Sequence, residues 1–205
     1  MHWQARLDKW FDKDHYTISN QNDGLPNRIE VIEEASDGQG RIEFFGTNHL
    51  LKINSGNLNH LPFLKDTKNA DGVFLELENS KPLALHIVEL KKTINLTKWD
   101  EVKSQIRSSL RHSLGFLGVL NLTLPEKLVC HTCYQNDDIQ KDRYAKPVLS
   151  KPIVGKLLNS KKPDFLEEWL GQKVNISTVF PGFEHKKHQM TSIDGEDIPY
   201  AEVRL

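Results

Sequence analysis

The fold is decided by two neighbouring stretches, Asp71-Gly72-Val73-Phe74-Leu75-Glu76-Leu77-Glu78 and Leu83-Ala84-Leu85-His86-Ile87-Val88-Glu89-Leu90-Lys91-Lys92. Both have the composition of strands, and the turn residues Asn79-Ser80-Lys81-Pro82 separate them. The near-continuous apolar middle of the second stretch is typical of a central strand that is buried on both faces. If the two strands pair antiparallel across the turn, their far ends meet.

The sequence around this strand pair predicts further helices and strands. The strongest helix signal covers 97–120, and a strand follows over 127–135. On the N-terminal side, the patterns predict an amphipathic helix over 2–13, a hairpin formed by 28–34 and 41–45, and a long loop over 46–69. We therefore expect an α/β fold in which helices flank a mixed central sheet.

The C-terminal part has a different character, because 141–173 contains eight basic and four acidic residues and is interrupted by prolines. It predicts a short helix over 163–171 and a strand over 173–180, followed by a polar loop and the terminal segment 200–205. We expect a core over 1–135, including the N-terminal helix and hairpin. The remaining 136–205 would form a basic extension that is packed on this core within the same domain.

Composition excludes several classes of protein. The chain has 205 residues and a formal net charge of −1, and no apolar run approaches the roughly 18 to 20 residues that cross a bilayer. The N-terminus lacks the apolar segment of a secretory signal, and two cysteines cannot form a disulfide framework. We therefore expect a cytoplasmic protein without membrane contact.

Three side chains at the meeting ends of the strand pair suit hydrolytic chemistry. Glu89 and Lys91 lie on one face of their strand, since side chains alternate, and the antiparallel pairing brings Asp71 close to both. Two carboxylates can hold Mg²⁺, which prefers oxygen ligands and supports an attacking hydroxide. An ammonium group can orient the water or offset the charge of the transition state.

With these residues the chain resembles the PD-(D/E)xK nuclease superfamily. Asp71 matches the motif aspartate, and Glu89-Leu90-Lys91 matches the (D/E)xK element. The resemblance spans roughly 28–135 and implies a restriction-endonuclease-like core and a metal-dependent nuclease. It also implies that Asp71 and Glu89 bind Mg²⁺, with Mn²⁺ possible, that Lys91 assists the water, and that DNA is a likelier substrate than RNA.

The resemblance extends to the following helix and to the N-terminal region. Gln105 occupies the place of a glutamine that orients the water in many members of the superfamily, whereas Ser109 stands where a tyrosine often follows. Ala70 replaces the proline before the motif aspartate. The family often adds an N-terminal carboxylate to the metal shell, and the sequence leaves the choice open between Glu30, Glu33 and Glu34.

Clustered basic residues offer a surface for phosphates despite the balanced total charge. Between 91 and 111 there are six basic and two acidic residues. Lys103, Arg107 and Arg111 follow at intervals of four on the predicted helix. With Lys92, they are the predicted nucleic-acid contacts, because phosphate recognition requires clustered cations rather than total charge. A solvated helix face explains the stripe equally well.

Other interpretations stay open. A module on the same fold could bind nucleic acid or a protein without catalysis, a second copy could form a homodimer, or the motif spacing could be accidental. Cys130 and Cys133 resemble half a metal knuckle that His185 and His188 could complete, although core positions suit the cysteines better. By strand parity His86 packs away from Glu89, and 185–188 is predicted as a mobile loop.

Overall fold

The structure is a computed structural model that describes residues 2–19, 25–54, 68–139, 165–171, 173–174, 176, 183–192 and 198–205. It contains the helices α1 (Trp3–Trp10), α2 (Leu96–Leu120) and α3 (Phe165–Leu170). The strands are β1 (Tyr16–Ile18), β2 (Asn27–Glu33), β3 (Gly40–Gly46), β4 (His49–Ile53), β5 (Gly72–Glu78), β6 (Lys81–Ile94), β7 (Lys127–Asp137), β8 (Lys173–Val174), β9 (Phe183–Gln189) and β10 (Tyr200–Arg204). A short 3₁₀ turn, Lys13–His15, precedes β1.

A mixed seven-stranded sheet forms the centre of the molecule, in the order β1-β4-β5-β6-β7-β9-β8. Strands β4, β5 and β6 pair antiparallel as successive neighbours. Helix α2 then makes the crossover that a parallel pairing needs, and β7 runs parallel to β6. Strand β9 continues parallel to β7. The predicted mixed sheet of an α/β fold is confirmed.

A second sheet of three strands, in the order β10-β3-β2, covers one face of the large sheet. Its inner side chains Ile29, Val31, Ile42 and Phe44 share one apolar cluster with residues of β5 and β6. The rings of Phe44 and Phe74 lie 4.8 Å apart in this cluster. The expectation of helices flanking the sheet is therefore wrong for this face, because the predicted hairpin 28–34 and 41–45 forms a layer of its own.

Helix α2 covers the opposite face through the predicted apolar stripe. Trp99, Val102 and Ile106 are fully buried, and the stripe continues to Leu110 and Leu117. The N-terminus of α2 is capped by Asn95, whose side chain accepts a 2.9 Å hydrogen bond from the amide of Lys98. This cap fixes where β6 ends and α2 begins, and so fixes the helix over the end of β6.

Two sequence predictions of loops are wrong. The predicted loop 46–69 contains β4, which pairs between β1 and β5, while 55–67 lie outside the described residues. The predicted mobile loop 185–188 lies in β9. Of the predicted strand 173–180, β8 forms the start, and 175 and 177–180 lie outside the described residues. No helix in the described part of the chain is long and apolar enough to span a membrane.

Candidate active site

The β5–β6 hairpin brings Asp71 next to Glu89. Gly72 pairs with Val88 in the antiparallel register, so Asp71 stands at the edge of the strand pair beside Glu89. The Asp71 Oδ2 atom accepts a 2.6 Å hydrogen bond from the backbone N–H of Leu90. The far ends of the two motif strands therefore meet, in the arrangement that the sequence predicts.

Glu89 and Lys91 form a buried ion pair on the face of β6 that α2 covers. The Lys91 ammonium donates a hydrogen bond to Glu89 Oε1 at 2.5 Å. Glu89 is fully buried, and only 7% of the surface of Lys91 is exposed. Within the described residues, the second carboxylate oxygen of Glu89, Oε2, makes no hydrogen bond. Because a buried oxygen without a partner is costly, it offers a coordination position for a cation or a bound water.

Burial governs the protonation of the two carboxyls. Desolvation, followed by the charge of Glu89, raises the pKa of Asp71 to about 8. Desolvation also raises the pKa of Glu89 to about 7, although the Lys91 ammonium opposes this rise. Burial lowers the pKa of Lys91, but the Glu89 carboxylate more than offsets this, and the net pKa is raised. The two carboxyls resist being ionised at the same time. A bound divalent cation would stabilise their ionised forms.

Helix α2 holds the segment before β5 with three side chains at i, i+4 and i+7. The amide of Gln105 donates to the carbonyl of Asn69 at 3.4 Å, and it lies close enough to Glu89 to lower the pKa of that carboxyl. The Ser109 hydroxyl accepts a 2.7 Å hydrogen bond from the backbone N–H of Ala70. His112 Nδ1 lies 2.6 Å from Asn69 Oδ1. These contacts fix the backbone that leads into Asp71.

Sequence reasoning treated Ser109 as a departure from the family pattern and did not consider His112. The available signal was the spacing of Gln105, Ser109 and His112, which puts three polar side chains on one edge of an otherwise apolar helix face. Such an edge needs a polar partner when it is buried. The chain segment 69–71 provides that partner.

Of the three N-terminal glutamates, the structure brings Glu33 to the site. Its side chain lies close enough to Asp71 to contribute to the raised pKa of that carboxyl. Glu33 Oε1 also accepts a 2.7 Å hydrogen bond from the amide of Ala35. Glu30 instead lies among arginines on the outer side of the small sheet, 3.7 Å from Arg28 and from Arg41, and Glu34 is exposed.

The turn between β2 and β3 rests against the end of β6. The carbonyl of Asp37 accepts a 2.8 Å hydrogen bond from the amide of Lys92. A Cβ atom at Gly38 would lie 2.8 Å from the carbonyl oxygen of Leu90 and 2.8 Å from Cγ of Glu33. Only a residue without a side chain lets the turn approach this closely, and this approach places Glu33 beside Asp71.

Among the described residues, Asp71, Glu89 and Glu33 do not bring three ligand atoms within 4.8 Å of one another, but their carboxylates are the oxygen donors that a divalent cation prefers. Asp71, Glu89 and Glu33 supply carboxylate oxygens, and Glu89 Oε2 is buried without a hydrogen-bond partner in the described structure. A separate group, Asp12, Asp14 and His15, offers ligand atoms within 4.8 Å of one another. Its two carboxylates are exposed, and exposed acidic clusters of this kind are common in the absence of metals.

The predicted basic stripe does not face this site. Lys103 is buried, and its ammonium pairs with Glu168 of α3 at 2.9 Å. Arg107 donates through Nε to the carbonyl of Ile176 at 3.0 Å. Lys103 and Arg107 thus hold the C-terminal segment on α2, on the far side of the helix from Gln105. Contact of Lys103 and Arg107 with phosphates stays a prediction, and in the described structure both side chains bond to the C-terminal segment. Arg111 and Lys92 are exposed.

Cys130 and Cys133 do not share a site. Cys130 belongs to the apolar cluster under α2, and Cys133 belongs to the cluster under the small sheet. Both thiols are buried, and burial raises the pKa of each. On β9, His185 and His188 likewise point to opposite faces, with His185 stacked on Trp99 and His188 stacked on His131. The four residues therefore do not form a metal knuckle.

Comparisons with known proteins do not identify a relative. The chain matches no family model, no curated protein and no solved structure.

Proposed function

We propose that the protein is a metal-dependent nuclease of the PD-(D/E)xK type that hydrolyses phosphodiester bonds of nucleic acid, with DNA favoured over RNA. The observation that carries the proposal is the meeting of Asp71, Glu89 and Lys91 at the end of the β5–β6 hairpin. Glu89 Oε2, which lacks a hydrogen-bond partner in the described structure, adds a ready acceptor for a cation.

The order of the elements around these residues supports a restriction-endonuclease-like core. Two strands that bear the motif, β5 and β6, are followed by α2 and then by the parallel strand β7. The PD-(D/E)xK superfamily, which the chain resembles, has this same order of two motif strands, a helix and a further strand. The fold alone does not specify a function, and the proposed function depends on the side chains that the fold positions.

Asp71 and Glu89 would hold Mg²⁺ or Mn²⁺, and Glu33 would contribute a further carboxylate to the same site. The cation would supply Lewis-acid polarisation of the phosphate and lower the pKa of a bound water. The raised pKa values of Asp71 and Glu89 mean that cation binding displaces protons from these carboxyls at neutral pH.

Lys91 carries the positive charge of the site. Its raised pKa keeps the ammonium protonated at neutral pH, so it can stabilise charge that develops on the phosphate or orient the attacking water. Gln105 contacts the Asn69 carbonyl and lies beside Glu89, which makes it a positioning residue for both motif strands. Each role follows from which atoms the side chain can reach.

Basic residues beside the motif would contact the phosphates of the substrate. Lys92 is exposed and directly follows Lys91. Lys68 is also exposed, three residues before Asp71. We therefore assign the phosphate contacts to Lys68 and Lys92 and not to Lys103 and Arg107, because the latter two side chains bond to the C-terminal segment.

The test is a cleavage assay on supercoiled plasmid, linear duplex, single-stranded DNA and RNA, with Mg²⁺, Mn²⁺ or EDTA. We expect cleavage that requires a cation and that falls by at least about 100-fold in Asp71→Asn and Lys91→Met, because each variant removes one charge with little change in shape. Asp12→Asn is the matched control. It removes a carboxylate of the exposed cluster and is expected to cut at the wild-type rate.

The assay is decisive only for folded proteins, so circular dichroism must show native spectra for each variant. Cleavage by Asp71→Asn and Lys91→Met at the wild-type rate would refute the assigned site. Loss of cleavage in Asp12→Asn alone would move the metal site to the N-terminal cluster. Preference for DNA or RNA is read directly from the four substrates.

A module on the same fold that binds without cutting is the second candidate. It is favoured by the burial of Glu89 and Lys91, which limits access of a substrate to the site. Calorimetric titration with duplex DNA separates the two candidates. Equal affinity in Mg²⁺ and EDTA, together with an intact substrate after long incubation, would support the binding module.

A further inference from the structure

Three histidines on the other face of the large sheet form a continuous hydrogen-bonded chain. His86 Nδ1 lies 2.9 Å from His131 Nε2, and His131 Nδ1 lies 2.9 Å from His188 Nε2. The rings come from β6, β7 and β9, so the chain crosses three adjacent strands. Sequence parity predicts that His86 packs away from Glu89, but the sequence does not show that its partners are two other imidazoles.

The chain is enclosed between the two sheets. His131 is fully buried and His86 is 3% exposed. The ring of Phe74 stacks on His86 at 4.5 Å, and Phe44 of the small sheet meets His131 edge-on at 4.8 Å. One ring of the small sheet, that of Phe44, therefore rests directly on the imidazole chain, and a change of charge in the chain acts on this contact between the sheets.

One end of the chain is defined by Glu76. Its Oε2 lies 3.7 Å from His86 Nε2, and its Oε1 accepts a 2.7 Å hydrogen bond from Asn48 Nδ2. A lone pair on His86 Nε2 would be repelled by this carboxylate, so Nε2 carries the proton. His86 Nδ1 is then an acceptor, and His131 and His188 must each donate through Nε2 to the next ring. All three rings share one tautomer.

This order leaves one acceptor for an incoming proton, Nδ1 of His188. His188 is half-buried and lies at the end of the chain that faces away from Glu76. Three neutral imidazoles hold three N–H groups: two form the ring-to-ring bonds, and the third, at His86 Nε2, lies 3.7 Å from Glu76 Oε2 and makes no hydrogen bond within the described residues. A first added proton enters at His188, whereas a second forces two donors to face each other and breaks a bond in the chain.

The surrounding charges do not stabilise a protonated chain at neutral pH. Lys186 of β9 lowers the pKa of His86, His131 and His188, while Glu76 and Glu184 raise only that of His86. Lys127 of β7 acts on Glu76, and His185 on the opposite face acts weakly on His131. Desolvation, the main cause, lowers the pKa of all three rings, and that of His188 falls to about 4. The described side chains of the small sheet that meet the chain are apolar.

We propose that the His86–His131–His188 chain, which lies on the large sheet beneath the small sheet, is an acid-sensitive latch for the contact between the sheets: it stays closed until one proton has entered at His188 and opens when a second proton follows. Apolar side chains of similar size could replace these imidazoles at little cost in stability, because replacing both partners of a buried hydrogen bond by apolar groups is nearly neutral. Such side chains do not titrate, so the contact between the sheets would then not depend on pH. The proposal is independent of catalysis, since the latch lies on the face of β6 that does not bear Glu89 and Lys91.

The first test is nitrogen-15 NMR of the imidazole rings at pH 7. We expect His86, His131 and His188 to be neutral and protonated at Nε2. An Nδ1-protonated ring at His131 or His188, or a charged ring at neutral pH, would overturn the ordered chain. This measurement uses the wild-type protein and does not depend on the folding of a variant.

The second test is amide hydrogen exchange between pH 7 and pH 4, corrected for the intrinsic effect of pH. We expect protection in β2, β3 and β10 to fall by about tenfold or more at a higher pH than protection in α2 and β6. In His188→Gln the small-sheet transition moves to lower pH by about half a unit or more, because the entry group is absent. His49→Gln is the control, since His49 is exposed on β4 and lies outside the chain.

Two results would overturn the latch. One is loss of protection in both sheets and α2 at the same pH, which is ordinary acid unfolding. The other is an unchanged small-sheet transition in a folded His188→Gln. If His188→Gln does not fold at neutral pH, the tautomers of the wild-type rings and the order of its exchange transitions decide the question.

Discussion

Asp71 accepts a 2.6 Å hydrogen bond from the backbone N–H of Leu90, the residue that follows Glu89 on β6. The bond holds the carboxyl of one motif strand against the other strand, although the charge of Glu89 disfavours ionisation of Asp71. The backbone of β6 thus holds together two groups that repel each other when both are ionised. A divalent cation would relieve that repulsion.

The first prediction concerns the pH dependence of stability without a cation. The pKa values of Asp71 and Glu89 are raised to about 8 and about 7, whereas carboxyls of an unfolded chain titrate near 4. Between pH 7 and 9 the native state therefore holds more protons than the unfolded state, and stability falls as pH rises. We expect the free energy of unfolding in EDTA to drop by on the order of 2 kcal/mol over this window.

Urea denaturation at pH 7, 8 and 9 measures this change. Asp71→Asn is expected to flatten the profile, because the amide does not titrate. Millimolar Mg²⁺ should restore stability to the wild type at pH 9 and leave Asp71→Asn nearly unchanged. A flat wild-type profile, or an equal slope in Asp71→Asn, would contradict the assignment of the raised pKa to this pair.

A second prediction concerns Ser109, which the sequence marks only as a departure from the family pattern. Ser109→Ala leaves the buried amide of Ala70 without its 2.7 Å partner, and this should cost about 1–3 kcal/mol of stability. Because Ala70 precedes Asp71, cleavage should also fall by about tenfold through displacement of the motif aspartate.

Ser113→Ala is the matched control for Ser109→Ala. Ser113 is also buried on α2, but its hydroxyl donates to the carbonyl of Ser109 within the same helix and does not touch the segment before β5. It should lower stability without changing the cleavage rate relative to the amount of folded protein. Equal loss of activity in both variants would show that Ser109 acts only through the stability of the helix.

The sequence predicts the part of the fold that local patterns determine. Strands β5 and β6, helix α2 and strand β7 lie where alternation and apolar periodicity place them, and the meeting of Asp71 and Glu89 follows from one antiparallel turn. Strand β4 was missed because it is short and lies in a region rich in turn formers, so only its pairing with β1 and β5 stabilises it.

The missed features depend on contacts between distant parts of the chain. Strand β10 pairs with β3 across more than 150 residues, and the parallel register of β6, β7 and β9 brings the three histidines together. The basic residues of α2 have partners that the sequence does not show for the same reason: Glu168 and the carbonyl of Ile176 reach Lys103 and Arg107 only in the folded chain. Residue spacing on one element does not specify what covers that element.

A third prediction separates the two groups of basic residues. Lys103→Met removes the partner of Glu168, a carboxylate that is 15% exposed, and should destabilise the protein by about 1–3 kcal/mol. Its affinity for duplex DNA, measured in Ca²⁺ to prevent cleavage, should not change. Lys68→Gln should leave stability unchanged and weaken the binding of duplex DNA by about threefold to tenfold at low salt.

The double variant Lys103→Met/Glu168→Gln provides the control for the ion pair. It should recover part of the stability that Lys103→Met loses, since the buried carboxylate no longer lacks a partner. Weaker DNA binding by a folded Lys103→Met would return this residue to the nucleic-acid interface.

The last prediction concerns Gly38. A methyl group at this position would lie 2.8 Å from the carbonyl oxygen of Leu90, which belongs to the backbone of β6 and cannot move away freely. Gly38→Ala should therefore lift the turn between β2 and β3, and Glu33 with it, away from Asp71. Overpacking of this kind costs about 1–3 kcal/mol.

The decisive readout is the affinity for Mn²⁺, measured by calorimetry on folded protein. If Glu33 completes the cation site, Gly38→Ala and Glu33→Gln should weaken Mn²⁺ binding to a similar extent, whereas Glu34→Gln, an exposed neighbour, should bind as the wild type does. Unchanged affinity in Glu33→Gln would limit the cation site to Asp71 and Glu89.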